Sequence, residues 1–203
     1  MKWLIVLLIP ITAFSADNTI YIDQVGNNNQ ITINQTGSPN TVGGINQQAA
    51  PIQGDYNQIS ITQDSSNQLK LDLTGDYNSL TANQSVGHYV ETTISGNNNT
   101  LNFNQINSGS KSITASIAGN NNSVAATQQG SGQHQLSVSL SGNGHSVTTN
   151  QKDSGNHLAT INLTNAGGAA TVNLTQQGLT NQTYSLIQSC GMAGGCSTSI
   201  TQQ

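Results

Sequence analysis

The chain has 203 residues, a formal net charge of −4, and only 6% charged and 4% aromatic residues beside 33% hydrophobic ones. So little bulky apolar material rules out an ordinary globular core, and the excess of Gly, Asn, Gln, Ser and Thr makes a disordered polar tract the first alternative to weigh. The basic residues are four lysines (Lys2, Lys70, Lys111 and Lys152) with no arginine and no cluster, which excludes nucleic acid as the expected partner.

The N-terminal stretch MKWLIVLLIPITAFSADN has one lysine, an apolar run from Trp3 to Ile11, and then small residues. Residues 1–15 are expected to be a signal peptide, cut after Ser15 or Ala16. The run is too short for a permanent anchor and no other stretch qualifies, so no membrane span is expected in the mature form. The expected location is secreted, extracellular or at the cell surface. Export also makes sense of Cys190 and Cys196 as a disulfide pair.

From Gly26 onward one unit recurs: GNNNQITINQ, then GDYNQISITQ, GDYNSLTANQ, GNNNTLNFNQ, GNNNSVAATQ, GNGHSVTTNQ and GGAATVNLTQ. The glycines are Gly26, Gly54, Gly75, Gly96, Gly119, Gly142 and Gly167, and the closing glutamines are Gln35, Gln63, Gln84, Gln105, Gln128, Gln151 and Gln176. From Gln63 the glutamine positions step by 21, 21, 23, 23 and 25, by subtraction, and a nearly fixed period in this range signals stacked repeats. The stretch before each later glycine alternates apolar and polar, as in QLKLDLTG (68–75) and QLSVSLSG (135–142). Alternation on both sides of a Gly/Asn turn reads as strand, tight arc, strand, with inward residues at −6, −4, −2, +5 and +7 from the glycine. The fold expected is therefore all-β: a β-solenoid of about seven strand–arc–strand rungs over 16–177. An irregular excursion is expected at 36–53, which carries Pro39 and Pro51. Disorder does not require a phase-locked Gly, Asn, apolar pair and Gln.

Gln35 falls in step with Ile31 and Ile33, so it faces inward with them, although a buried unpaired amide is costly. A parallel, in-register stack resolves the conflict. Each Gln at +9 lies over the next, its carbonyl accepting from one neighbour and its NH2 donating to the other. The same stacking is expected at the arc for Asn29, Asn57, Asn78, Asn99 and Asn122. These amides are the expected stacking ladder, and they predict a neighbour above and below every rung.

The C-terminal 178–203 differs in kind. Cys190 falls where a rung glycine would be, and Cys196 opens a second alternating run. A hairpin stapled by the disulfide is expected, read either as a simple staple or as a cap or docking module. A lone Cys pair lacks the further ligands of a zinc or haem site. His88 and His134 share the −8 position in units separated by Lys111, and a cation between them argues against a metal, so they are expected at the surface. Asp55 and Asp76 follow arc glycines; they read as solvated arc charges rather than paired catalytic carboxylates. No cofactor, metal site or catalytic constellation is expected, and the chain is not expected to be an enzyme. The outward pairs of the second strand, from Thr32/Asn34 to Asn173/Thr175, would form a flat polar face.

The first unit, NTIYIDQVGNNNQITINQ (18–35), resembles the curlin repeat S-x5-Q-x-G-x2-N-x-A-x3-Q, with Asn18 for Ser and Ile31 for Ala. The phrases YIDQVG and GDYN are similar to units of the minor, nucleating curlin, and the resemblance covers roughly 18–177. It implies a subunit secreted unfolded that joins end to end with copies of itself into extracellular cross-β fibres of a bacterial biofilm or adhesive matrix. A nucleator or an outer-membrane export partner is implied too. The rival expectation is a capped, non-polymerising solenoid adhesin that binds polysaccharide or ice through the outward Thr/Asn face. Later units depart from the repeat: Leu73, Ile94, Ile117 and Leu140 stand at −2 in place of Gln, and His145 and Ala170 at +3 in place of Asn.

Overall fold

The computed structural model describes residues 17–46, 49–165, 168–191 and 194–203. The expected signal peptide and the arc glycine Gly167 lie outside the described residues. Eighteen strands are present among those described, and no helix. They are β1 (Thr19–Ile20), β2 (Ile22–Val25), β3 (Gln30–Gln35), β4 (Thr41–Gly43), β5 (Ala50–Gln53), β6 (Gln58–Ser65), β7 (Gln68–Thr74), β8 (Ser79–Val86) and β9 (Tyr89–Ser95). The chain continues through β10 (Thr100–Gln105), β11 (Ser112–Ala118), β12 (Ser123–Gln128), β13 (Gln135–Ser141), β14 (Ser146–Gln151), β15 (Leu158–Asn165), β16 (Ala170–Gln176), β17 (Thr183–Cys190) and β18 (Cys196–Gln202).

The chain winds between two parallel sheets. One sheet runs β1–β4–β7–β9–β11–β13–β15–β17, with β2 and β5 completing its first two rungs; the other runs β3–β6–β8–β10–β12–β14–β16–β18. Each rung is one strand from each sheet joined by a first arc, and a second arc leads to the next rung. Eight rungs spaced about 4.8 Å apart make a stack roughly 34 Å long.

Alternation sets which side chains meet inside. In the third rung Leu69, Leu71 and Leu73 face Leu80 and Ala82, all nearly inaccessible, and the same five positions recur as Val90, Thr92, Ile94, Leu101 and Phe103 in the fourth. Register is exact from rung to rung; Leu101, for instance, lies between Leu80 and Val124. No rung has enough apolar surface to fold alone, so the core exists only as columns shared between neighbours.

Two expectations on this frame are corrected. Of the excursion at 36–53, Thr41–Gly43 and Ala50–Gln53 are sheet strands paired with β7, and just after the first of them Asp72 accepts the Ile45 N–H at 3.2 Å. Pro51 fits because it sits in this broken second rung, paired with Asp23 near the sheet's end. The C-terminal segment is not a hairpin. β17 lies parallel on β15 and β18 parallel on β16, so 178–203 forms an eighth rung. Its Tyr184, Leu186, Cys196 and Ile200 pack on the core from the open side, which is what the Y-x-L alternation there encodes.

Candidate functional site: amide ladders and open end rungs

The glutamines at +9 form one continuous chain of hydrogen bonds. Gln35 Nε2 donates to Gln63 Oε1 at 2.8 Å, Gln63 to Gln84 at 2.8 Å, Gln84 to Gln105 at 3.1 Å and Gln105 to Gln128 at 2.9 Å. Gln128 donates to Gln151, Gln151 to Gln176 and Gln176 to Gln202, each at 2.8 Å. Gln202 is therefore an eighth rung of the ladder. The ITQQ ending carried that signal, obscured by the different arc before it. From Gln63 onward the second amide hydrogen crosses the core to a first-sheet carbonyl in its own turn of the solenoid, as from Gln105 to the Tyr89 carbonyl at 3.1 Å and from Gln151 to that of Gln135 at 3.0 Å. The buried glutamines of this ladder are thus satisfied, and every bond between them points the same way.

The first arc is stitched in both directions. Going forward, Asn57 N–H donates to Asn29 Oδ1 at 2.8 Å, and Asn78, Asn99 and Asn122 N–H donate to the preceding Asn at 2.9, 3.0 and 3.0 Å. Their own NH2 groups reach the glycine carbonyl of the next rung, as from Asn78 to Gly96 at 2.8 Å. Going backward, the residue after each glycine accepts from the rung before: Asn27 N–H donates to Asp55 Oδ1 at 2.6 Å, and Asp55 N–H to Asp76 Oδ1 at 2.7 Å. The reading of Asp55 and Asp76 as merely solvated arc charges is thereby corrected; both are acceptors of inter-rung bonds, in a column that Asn97, Asn120 and Asn143 continue. Tyr56 and Tyr77 stack at 4.9 Å on the outside of the same arc.

The arc glycines explain why the column tolerates nothing else. Gly96 has φ +133°, and a methyl group there would lie 2.0 Å from the Gly119 carbonyl oxygen; Gly26, Gly54, Gly75 and Gly119 meet the next glycine in the same way. Gly142 shares the conformation at φ +124°.

Sequence reasoning missed a second buried polar column. In register just ahead of the first-sheet strands stand Asn18, Asn40, Asn67, His88, Lys111, His134, His157 and Gln182, and from Asn40 onward all are buried. The surface placement expected for His88 and His134 is corrected: they are 2% and 0% exposed. Alternation gave no warning, because this column lies at the second arc, where burial comes from loop closure rather than from pleat. Asn67 and His88 N–H donate to the Asn Oδ1 of the rung before at 3.1 and 2.9 Å. Histidine then takes over as acceptor. Lys111 N–H points at His88 Nδ1 (3.4 Å) and His157 N–H at His134 Nδ1 (3.5 Å), while His134 and His157 Nε2 donate to the Gln129 and Lys152 carbonyls, both at 2.8 Å. Lys111 Nζ is held by the carbonyls of Ser108, Gly109 (3.1 Å) and Gly130 (2.8 Å). Burial lowers its pKa to about 8.

Among the described residues the columns stop at the two ends without a partner. Ile20, Ile22 and Ile31 are only partly covered at the first rung, as are Leu186 and Ile200 at the last. Gln35 Oε1 accepts no hydrogen bond among the described residues, whereas Gln202 Nε2 has only a 3.4 Å contact to the Thr183 carbonyl. Gln182 Oε1, in the column whose acceptor takes the next rung's N–H, is buried and unpaired. The Cys190–Cys196 disulfide closes the last first-arc, with Cα atoms 5.8 Å apart.

Compared with protein-family models, with curated proteins and with solved structures, the chain finds no match.

Proposed function

We propose that the chain is a secreted, curlin-like structural subunit that joins end to end with copies of itself into extracellular cross-β fibres. The observation that carries the reading is the complementarity of the two uncovered ends. Continuing the observed register by one rung sets β18 of one copy against β3 of the next. Gln202 then lies on Gln35, Ile200 on Ile33 and Thr198 on Ile31. The Gln202 NH2 finds the free Gln35 carbonyl, and the unpaired Gln182 carbonyl finds the Asn18 N–H. Unpaired strand edges template further strands by the same bonds that hold the rungs together. The curlin resemblance of the first unit, the expected signal peptide and the disulfide support the extracellular setting.

The test is X-ray fibre diffraction on the mature, oxidised chain after quiescent incubation at neutral pH, with seeding by dilute preformed fibres. Meridional intensity near 4.7 Å with equatorial intensity near 10 Å, and seeds that elongate, are expected. A folded β-rich monomer that ignores seeds overturns the proposal.

One observation favours a second reading, a non-growing adhesin. The last arc runs seven positions from Cys190 to Ser197, against four from Gly26 to Gln30 in the arc it would meet. If seeds do not grow, the uncharged face from Thr32/Asn34 to Ser199/Thr201 becomes the surface to assay against polysaccharide and ice.

A further inference from the structure

Three of the four histidines do one job. His88, His134 and His145 place Nδ1 against the backbone N–H of the following rung, at 3.4, 3.5 and 3.1 Å. His157 sits in the column of His88 and His134 with its Nδ1 buried and unpaired. On the other side of each ring Nε2 meets a group of its own loop: Ser85 Oγ at 3.2 Å for His88, and the carbonyls of Gln129, Ser141 and Lys152 at 2.8, 3.4 and 2.8 Å for His134, His145 and His157. Carbonyls can only accept, so Nε2 carries the hydrogen in His134, His145 and His157 and Nδ1 is left as the acceptor. The rings imitate the asparagines they replace, whose Oδ1 receives the same N–H. Asparagine cannot be protonated in water, but imidazole can.

We propose that the second-arc column makes the solenoid acid-labile: a proton on Nδ1 of His88 and His134 converts acceptors of inter-rung bonds into donors and uncouples the fourth rung from the fifth and the sixth from the seventh. For His88 and His134 the new N–H points at a backbone N–H 3.4 or 3.5 Å away.

The charges around the column oppose protonation. His88 faces Lys111 from the next rung and Asn67 from the rung before. His134 lies between Lys111 and His157, its ring stacked on His157 at 5.0 Å. His157 meets His134, Gln182 and the Lys152 carbonyl, and His145 meets Asn122, Ser141 and Ala170. Among these neighbours Asp153, near His134, is the one carboxylate, and it does not offset the rest. Burial, then the Lys111 charge, holds His88 down at about 4; burial first, with His157 and Lys111 adding to it, does the same for His134.

Proton counting sets the sign. Between the unfolded value of 6.5 and the folded value of about 4 the unfolded chain holds more protons, so stability falls as pH falls through that window. The folding constant should drop on the order of tenfold for each of His88 and His134 between pH 7 and pH 5.

The experiment compares the full chain with the double variant His88→Asn, His134→Asn, which installs the residue already used at Asn40 and Asn67. Guanidinium unfolding is followed by far-UV circular dichroism at pH 7.5, 6 and 5. The expected result is a midpoint that falls with pH in the parent and stays nearly level in the variant. An equal fall in both overturns the proposal. Should the variant not fold, nitrogen-15 NMR of the histidine-labelled parent decides. At His88 and His134, Nε2–H tautomers that resist protonation until well below pH 6.5 support the latch, and Nδ1–H tautomers or midpoints near 6.5 overturn it.

Discussion

A single glutamine in this molecule has two different neighbours of its own kind, and its value depends on where it stands. Gln105 is fully buried between Gln84 and Gln128. Gln105→Ala would leave the Gln84 NH2 and the Gln128 carbonyl without their ladder partner and open a cavity, so a loss of about 2–4 kcal/mol is expected in guanidinium unfolding. Gln202→Ala, at the half-exposed end, should cost under about 1 kcal/mol in the same assay. Glycines sort in the same way. Gly96→Ala drives a methyl group to 2.0 Å from a backbone oxygen at φ +133° and should cost more than about 3 kcal/mol. Gly87 has φ +71° and nothing within 4 Å of the added methyl, so Gly87→Ala should cost only the left-handed strain of about 1 kcal/mol. At this scale the sequence was legible wherever phase decided burial: Gln35 betrays itself by keeping step with Ile31 and Ile33. His88 and Lys111 were not legible, because a loop residue's burial depends on how the chain closes back on itself.

Strands and arcs follow the same division. The alternating runs became strands because each buries one face against the opposite sheet, and the seven repeated units account for most of the stack. The eighth rung was hidden because its first arc carries three extra residues and a disulfide, which displaced the GxxN-type spacing that identifies the others. Thr183–Cys190 and Cys196–Gln202 nevertheless keep period two, and that period sufficed for them to dock in parallel on β15 and β16. The split of the second rung into β4 and β5 had no readable signal beyond Pro51. The last rung has a covered neighbour on one side only, so the disulfide matters most there. Reduction, or Cys190→Ser with Cys196→Ser, should release about 2 kcal/mol of chain-closure restraint. Amide hydrogen exchange should show β17 and β18 losing protection while β7 to β13 keep theirs; uniform loss across the stack would contradict this.

As a whole the molecule behaves as a one-dimensional array, in which each rung is stabilised by the rungs above and below it. Removing one complete turn, residues 88–110, brings Lys111 into the place of His88 and preserves every column. That deletion should fold, with a small-angle-scattering length shorter by about 4.8 Å. Removing 88–98, about half a turn, breaks the inward and outward assignment of the later strands and should not give a cooperative fold. Few charges take part in holding the stack together, so midpoints for the parent chain at neutral pH should change little between low and high salt.

The one-way sense of the glutamine bonds has an electrical consequence. Side-chain amides aligned head to tail add their dipoles along the stack, and neighbouring bonds polarise one another. The first rung therefore presents carbonyl oxygen and the last presents amide hydrogen, giving the particle a negative and a positive pole. Rods with such poles attract nose to tail along one axis, and side by side they lie at lower energy when they point in opposite directions.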